Sequence, residues 1–312
     1  MFLAVNFHYV GMPKYPFDGI HGLTPAEFRE RLRGLARDFD MIGLPDLVRA
    51  ARGNQHLPER ACLVTFDDGL RCQFEHALPV LEEERIPAAF FVLGSPIGEA
   101  RAATVHKLHY LRASFGDPTI IAHIERLPEH ADFLAVDLKK AQESYRYDGV
   151  QTARLKYFLN YQMPPEFTSR LTDTLLAEAG IPESRFVTDF YLDPSMIRTL
   201  AGPGMIGAHA WSHAPLARMA LAEAGAELQR TRKLLEEVTG TNVSAVSYPL
   251  GNPGAVNRTI ADLAAEAGYV AGMTMERAVN RSLSDSLLLA RIDAADIAAV
   301  AELPARSRYF VD

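Results

Sequence analysis

The chain of 312 residues carries a formal net charge of -7, with 48% hydrophobic and 23% charged residues. That balance belongs to a globular rather than a disordered protein, and the length suits one large domain or one domain with a sizeable insertion. No lysine or arginine block is long enough to form a stripe for nucleic acid or for an anionic membrane surface, and no stretch approaches the roughly 20 apolar residues that would span a bilayer. In chain order, Phe2 to Val5 reads as a short buried strand. Met1 to Val10 lacks a basic leader, so the expected compartment is the cytoplasm. Thr24-Pro25-Ala26-Glu27 supplies a cap, a proline at the first helical position and a glutamate three residues on, and Phe28, Leu32 and Leu35 then carry a helix to about Asp38. Leu63 to Phe66 and Ala88 to Val92 are strand-length apolar runs separated by a helix from about Gln73 to Glu84. This rhythm predicts parallel strands joined by right-handed crossovers.

Between about Gly98 and Arg185 the pattern becomes helical, with segments Ala102 to Phe115, Pro118 to Leu127, Asp137 to Tyr145, Thr152 to Tyr161 and Pro165 to Ala179. His106 and His109 share one face of the first and read as helix-surface residues; Tyr145, Tyr147, Tyr157, Phe158 and Tyr161 read as core of this segment. The alternation then resumes: a helix opened by Asp193-Pro194 to about Leu200, a strand at Met205 to Gly207, and a helix from about Ala220 to Thr239 stopped by Gly240. A strand at Val243 to Tyr248, a helix at Asn257 to Glu266 and a strand at Tyr269 to Met273 complete it. Cys62 and Cys72, without Cys-x-x-Cys spacing, read as reduced packing thiols.

Two features carry chemistry. Asp67 and Asp68 end the apolar run from Ala61 and are followed by Gly69, while His209 and His213 frame His-Ala-Trp-Ser-His. One carboxylate with two imidazoles is a common ligand set for a divalent metal, and a spare carboxylate beside it can take a proton from bound water. Asp-Gly alone is also a frequent turn, and histidines four apart are a frequent coincidence; it is their joint occurrence in this order that points to a hydrolase.

Thr65-Phe66-Asp67-Asp68-Gly69 and Gly207-Ala208-His209-Ala210-Trp211-Ser212-His213 resemble the first two motifs of the polysaccharide deacetylase family, also called NodB-homology or carbohydrate esterase family 4. The resemblance implies an α/β fold, a distorted (β/α)7-type barrel, over residues 1 to 97 and 186 to 295, with a helical insertion at about 98 to 185. Such an insertion is either a lid shaping substrate choice or a dimerisation surface. It implies Asp68, His209 and His213 as metal ligands and Asp67 as general base. Val246-Ser247-Tyr248-Pro249-Leu250-Gly251 resembles the third motif and would place the Leu250 N–H at the oxyanion. Ser247 stands where the family carries an arginine that orients the base, and Arg291 is expected to pair with Asp67 in its place. No histidine follows His213, so the family's late acid is missing; Phe7-His8-Tyr9 resembles an early segment found in deacetylases of poly-N-acetylglucosamine, which makes His8 the expected acid. The implied activity is removal of an acetyl group from an N-acetylated, or secondarily O-acetylated, carbohydrate or sugar conjugate. A cytoplasmic location would favour a biosynthetic intermediate. Deformylation or small-amide hydrolysis on the same barrel, and a degenerate carbohydrate-binding module, are the alternatives. Zinc suits the ligand set, as do cobalt, nickel and iron. Neither nucleic acid nor an integral membrane is expected as partner.

Overall fold

A computed structural model describes residues 1–11, 20 and 22–304. Chain contacts divide these residues into two units, one of them built from 1–11, 22–101 and 187–304, and the other including Ala102–Phe186. The first unit holds an eight-stranded parallel sheet: β1 (Phe2–Phe7), β2 (Asp40–Met41), β3 (Ala61–Phe66), β4 (Ala88–Val92), β5 (Ile206–Ala208), β6 (Ala245–Ser247), β7 (Ala271–Met273) and β8 (Ile292–Asp293). Neighbours follow the order β7-β6-β5-β4-β3-β1-β8, and β2 shares an edge of β3 with β4, pairing Asp40 with Ala61 where β4 pairs Val64 with Ala88. A parallel bridge between Met273 and Leu289, just before β8, brings the two ends of that path together.

The strands are apolar on both faces, as parallel strands covered on both sides must be. Alternate residues divide cleanly. Leu3, Val5, Phe7, Cys62, Val64, Phe66 and Phe90 pack in one cluster with helix residues such as Phe28, Leu32 and Leu35. Phe2, Ala4, Ala61, Leu63, Ala89, Phe91, Ala245 and Met273 form a second cluster on the opposite strand faces. Continuing this second set by two residues along β1, β3 and β6 gives Asn6, Thr65 and Ser247, all at most 1% exposed. The inner face thus turns from apolar to polar at the C-terminal ends of its strands. Buried polar groups need partners, and that requirement builds the site described below.

Helix starts follow local chemistry. Pro25–Asp38 begins with the expected capping box, in which Thr24 accepts from Glu27 N–H while Glu27 reaches back to Thr24. Pro194–Ala201 is capped by Asp193 and Arg258–Glu266 by Asn257. The segment expected as one helix from Gln73 opens instead with a π turn, Gln73–Ala77, before Leu78–Glu84. Composition did not announce Leu44–Ala51 or the two-residue strands. Strands this short fall below the length at which periodicity is readable.

The second unit is helical. Thr104–Ile124 joins two expected helices across Gly116, whose φ of 77° breaks the helical path. Its core includes Leu108, Leu111, Phe133, Phe158 and Phe167, with Phe158 set edge-on to Phe133 at 5.3 Å. Two sequence expectations are corrected here. His106 is 1% exposed and so is not a helix-surface residue; Tyr110, one turn further along the same face, is buried as well. Tyr147, expected in the core, is 71% exposed under the Arg146 guanidinium.

Cys62 and Cys72 are both free and buried, and burial pushes both thiols up to about 12. A thiol is reactive only as thiolate. At pH 8 the native protein is therefore expected to react slowly with a disulfide-exchange reagent, and two thiols should react promptly in denaturant. Fast reaction of either thiol in the native protein would contradict its burial. Among the described residues, no helix is long and apolar enough to cross a membrane.

Candidate active site

The C-terminal ends of β1, β3, β5 and β6, with the approach to β8, supply the site, as expected for a barrel of this kind. Directly after β3, Asp67 and Asp68 are 3% and 4% exposed. Asp68 adopts φ 78°, and Ala210, His213 and Leu250 also have positive φ. Among the described residues, four of the six non-glycine positions with this costly backbone thus belong to the site segments. Gly69 follows with φ 66°, where a Cβ would lie 2.9 Å from Val92 Cγ1. Only glycine meets both constraints.

Asp68 Oδ1 lies 3.4 Å from His209 Nε2 and 3.4 Å from His213 Nε2. Asp68, His209 and His213 each offer one donor atom within 4.8 Å of the others, and form the one such group found among the described residues. The orientation of His209 is set from behind: its Nδ1 lies 2.7 Å from the Ser247 carbonyl, so Nδ1–H donates there and Nε2 is left facing Asp68. Burial opposes charge on His209, but Asp67 and Asp68 outweigh it and raise its pKa. Two imidazoles and a carboxylate gathered this closely fit a divalent cation in both charge and donor type.

Asp67 faces the other way. Its two oxygens accept from Arg291, Oδ1 from Nη1 at 2.8 Å and Oδ2 from Nη2 at 2.6 Å, and Oδ2 also accepts from Asn6 Nδ2 at 3.1 Å. Burial works against ionisation, yet the Arg291 guanidinium, helped by His209, overcomes it and holds the carboxyl at about 2. Arg291 is itself fully buried. Its remaining hydrogens reach Asn6 Oδ1 at 3.1 Å, Thr65 Oγ1 at 3.2 Å, Ser247 Oγ at 2.8 Å and the Thr274 carbonyl at 3.3 Å. The polar inner layer of the strands is thus a socket for one guanidinium. Ser247, small and hydroxylic, leaves room for a guanidinium that arrives from the approach to β8.

His8 is half-buried immediately after β1, its Nε2 3.4 Å from Asn6 Nδ2. Asn6 therefore contacts both Asp67 and His8. Gln73 ties the same two segments by donating to the Asp67 carbonyl at 2.6 Å and the His8 carbonyl at 3.0 Å. Leu250 occupies a tight turn in which Gly251 N–H donates to Pro249 O at 2.7 Å, with Leu250 at φ 61°. Asn6 and Gln73 are the residues that motif reading passed over, and Thr65 was read there without its contact to Arg291. The signal for Asn6 and Thr65 was a polar residue inside an apolar strand; Gln73, which opens the π turn Gln73–Ala77, carried none.

The polysaccharide deacetylase family model matches residues 54–126 and 158–272 of this chain, a span that takes in both carboxylates and both histidines. A poly-beta-1,6-N-acetyl-D-glucosamine N-deacetylase of Staphylococcus epidermidis is 25% identical over 181 residues, which is 52% of this chain and 61% of the relative. Among solved structures, IcaB of Ammonifex degensii is similar with a TM-score of 0.57 at 16% identity, covering 96% of this chain and 97% of that one. The deacetylase PplD of Streptococcus pyogenes, in complex with acetate, is similar with a TM-score of 0.56 at 16% identity, covering 93% of this chain and 91% of that one. The barrel, the paired aspartates after β3 and the histidines after β5 converge with a family match over more than half of the sequence, and the chain belongs to the polysaccharide deacetylase family.

Proposed function

We propose that this protein is a divalent-cation-dependent hydrolase that removes the acetyl group from the nitrogen of an N-acetylated amino sugar in a glycan or sugar conjugate. One observation carries the reading: an ionised carboxylate, Asp67, stands beside the Asp68, His209 and His213 donor set. A divalent cation held by those three residues would supply Lewis acidity, polarising the acyl oxygen and acidifying water. Asp67 takes the proton that the attacking water gives up. Arg291 keeps Asp67 ionised and fixes both of its oxygens. The Leu250 N–H donates to the acyl oxygen as it gains charge. His8 gives a proton to the leaving nitrogen, so that a neutral amine departs. The acyl carbon gains a hydroxyl, the carbon–nitrogen bond breaks, and acetate and the free amino sugar result.

Family membership supports the reaction class, and the printed name of the Staphylococcus epidermidis relative makes β-1,6-linked N-acetylglucosamine oligomers the first substrate to try. Acetylated nucleotide-linked sugars form the second arm of the test. Chelator-stripped protein is reconstituted with zinc, cobalt, nickel or iron(II), and acetate and formate release are followed separately. Acetate release that depends on the added metal is expected. Formate release in its place would make the protein a deformylase, and absence of turnover with every metal would leave only a binding module.

His8→Ala is expected to lower turnover of the amide about a hundred- to ten-thousand-fold, the range of general acid–base catalysis. An activated acetyl ester, whose leaving group needs no proton, should suffer far less. Equal losses on the two substrates would remove His8 from the role of acid.

A further inference from the structure

The segment that carries both histidines is gripped from a helix that contributes no ligand. Ala210, with φ 57°, turns the consecutive N–H groups of Trp211 and Ser212 towards one point, and Glu227 Oε2 on helix Leu221–Thr239 accepts from both at 2.8 Å. Successive backbone N–H groups converging in this way form an anion-binding concavity. Here the anion is a side chain of the same protein. One turn along the helix, Arg230 sets its guanidinium 3.9 Å from the Trp211 ring centre and pairs with Glu99 at 2.8 Å. On the other flank, Gly94 N–H donates to Ala210 O at 3.1 Å and Ser95 N–H to Trp211 O at 2.9 Å. A Cβ on Gly94 or Gly98 would fall 2.3 or 2.4 Å from the indole, so the ring is held close against that turn.

We propose that Glu227 is a positioning residue for the metal site: by closing on the Trp211 and Ser212 N–H groups it holds the left-handed turn at Ala210 and so sets His209 and His213 at the spacing that Asp68 requires. This inference rests on the ligand assignment above. Glu227 is not one of the grouped donor residues. A change in metal affinity when it is substituted therefore reports the geometry of the loop. Hydrogen bonds to a carboxylate are stronger than neutral ones, and two on one oxygen oppose relaxation of an alanine out of a conformation that only glycine adopts freely.

The test is zinc affinity of the full chain, measured by competition with a chromophoric chelator, alongside thermal unfolding of the metal-free protein. Glu227→Ala is expected to weaken zinc binding about 10- to 100-fold, the range seen when groups that orient metal ligands are lost. Glu227→Gln, which keeps an accepting oxygen, should lose less. Adding Ala210→Gly to Glu227→Ala should recover part of the affinity, because glycine holds the same φ without steric cost. Wild-type affinity in Glu227→Ala overturns the proposal. Equal weakening in all three variants with a matching fall in thermal midpoint also overturns it, since that pattern is general loosening. His213→Ala serves as control: if it binds zinc as wild type does, the ligand assignment itself fails.

Discussion

Asp67→Asn should reduce kcat about a hundred- to ten-thousand-fold while zinc affinity is retained. Asparagine keeps the shape and can still accept from Arg291, but it cannot take a proton from water. Asp68→Asn is the informative comparison, because Asp68 faces both imidazoles at 3.4 Å and its loss should weaken zinc binding itself. Single-turnover acetate release and chelator competition on the two variants separate the roles. If Asp67→Asn turns over at the wild-type rate, Asp67 is not the base; if it loses zinc while Asp68→Asn does not, the roles of the two aspartates are exchanged.

The second large effect falls on Arg291. Replacing it by methionine strips a buried carboxylate of its partner, a change that typically costs about 3–5 kcal/mol. Asp67→Asn combined with Arg291→Met removes both charges and should recover much of that loss, as read from denaturation midpoints. The pH dependence follows from the sign of the shift. Asp67 is held at about 2 in the folded protein, below the roughly 3.9 of an unfolded aspartate. Its contribution to stability is therefore fully present above about pH 4, and is lost as the pH falls through about 2. Without the guanidinium, burial is left to raise the Asp67 pKa. The acid limb of kcat/KM in Arg291→Met should consequently move to higher pH by about 1 unit or more. Arg291→Lys keeps the charge without the planar fork and should fall between the two. An unchanged pH profile in Arg291→Met would remove Arg291 from control of the base.

Ser247 makes the same point from the opposite side. Its hydroxyl accepts from Arg291 while its carbonyl accepts from His209, so one residue of β6 touches both the partner of the proposed base and a proposed metal ligand. At the position where relatives are expected to carry arginine, a second guanidinium would compete for the space Arg291 fills. The structure thus accounts for a departure from the family pattern that otherwise reads as a lost part.

Sequence alone was enough to read the alternation of strands and helices, the capped start at Thr24, the helix opened by Asp193-Pro194, and the aspartate and histidine motifs. These are local: each depends on residues a few positions apart, whose spacing carries the physics of a turn, a cap or a ligand pair. It also placed Arg291 opposite Asp67 as an expectation, through motif comparison rather than through any local pattern. Why that pairing is accommodated becomes visible only once the chain is folded. Asn6, Thr65 and Ser247 come from three separate strands, and they meet because parallel register sets the same inward position of β1 beside that of β3 and turns the polar end of the barrel lining towards one buried guanidinium. Glu227 was equally invisible, since a glutamate on an amphipathic helix is ordinarily solvated. Its significance depends on a left-handed alanine 17 positions earlier turning two N–H groups towards it, a convergence that exists only once the loop and the helix are packed together.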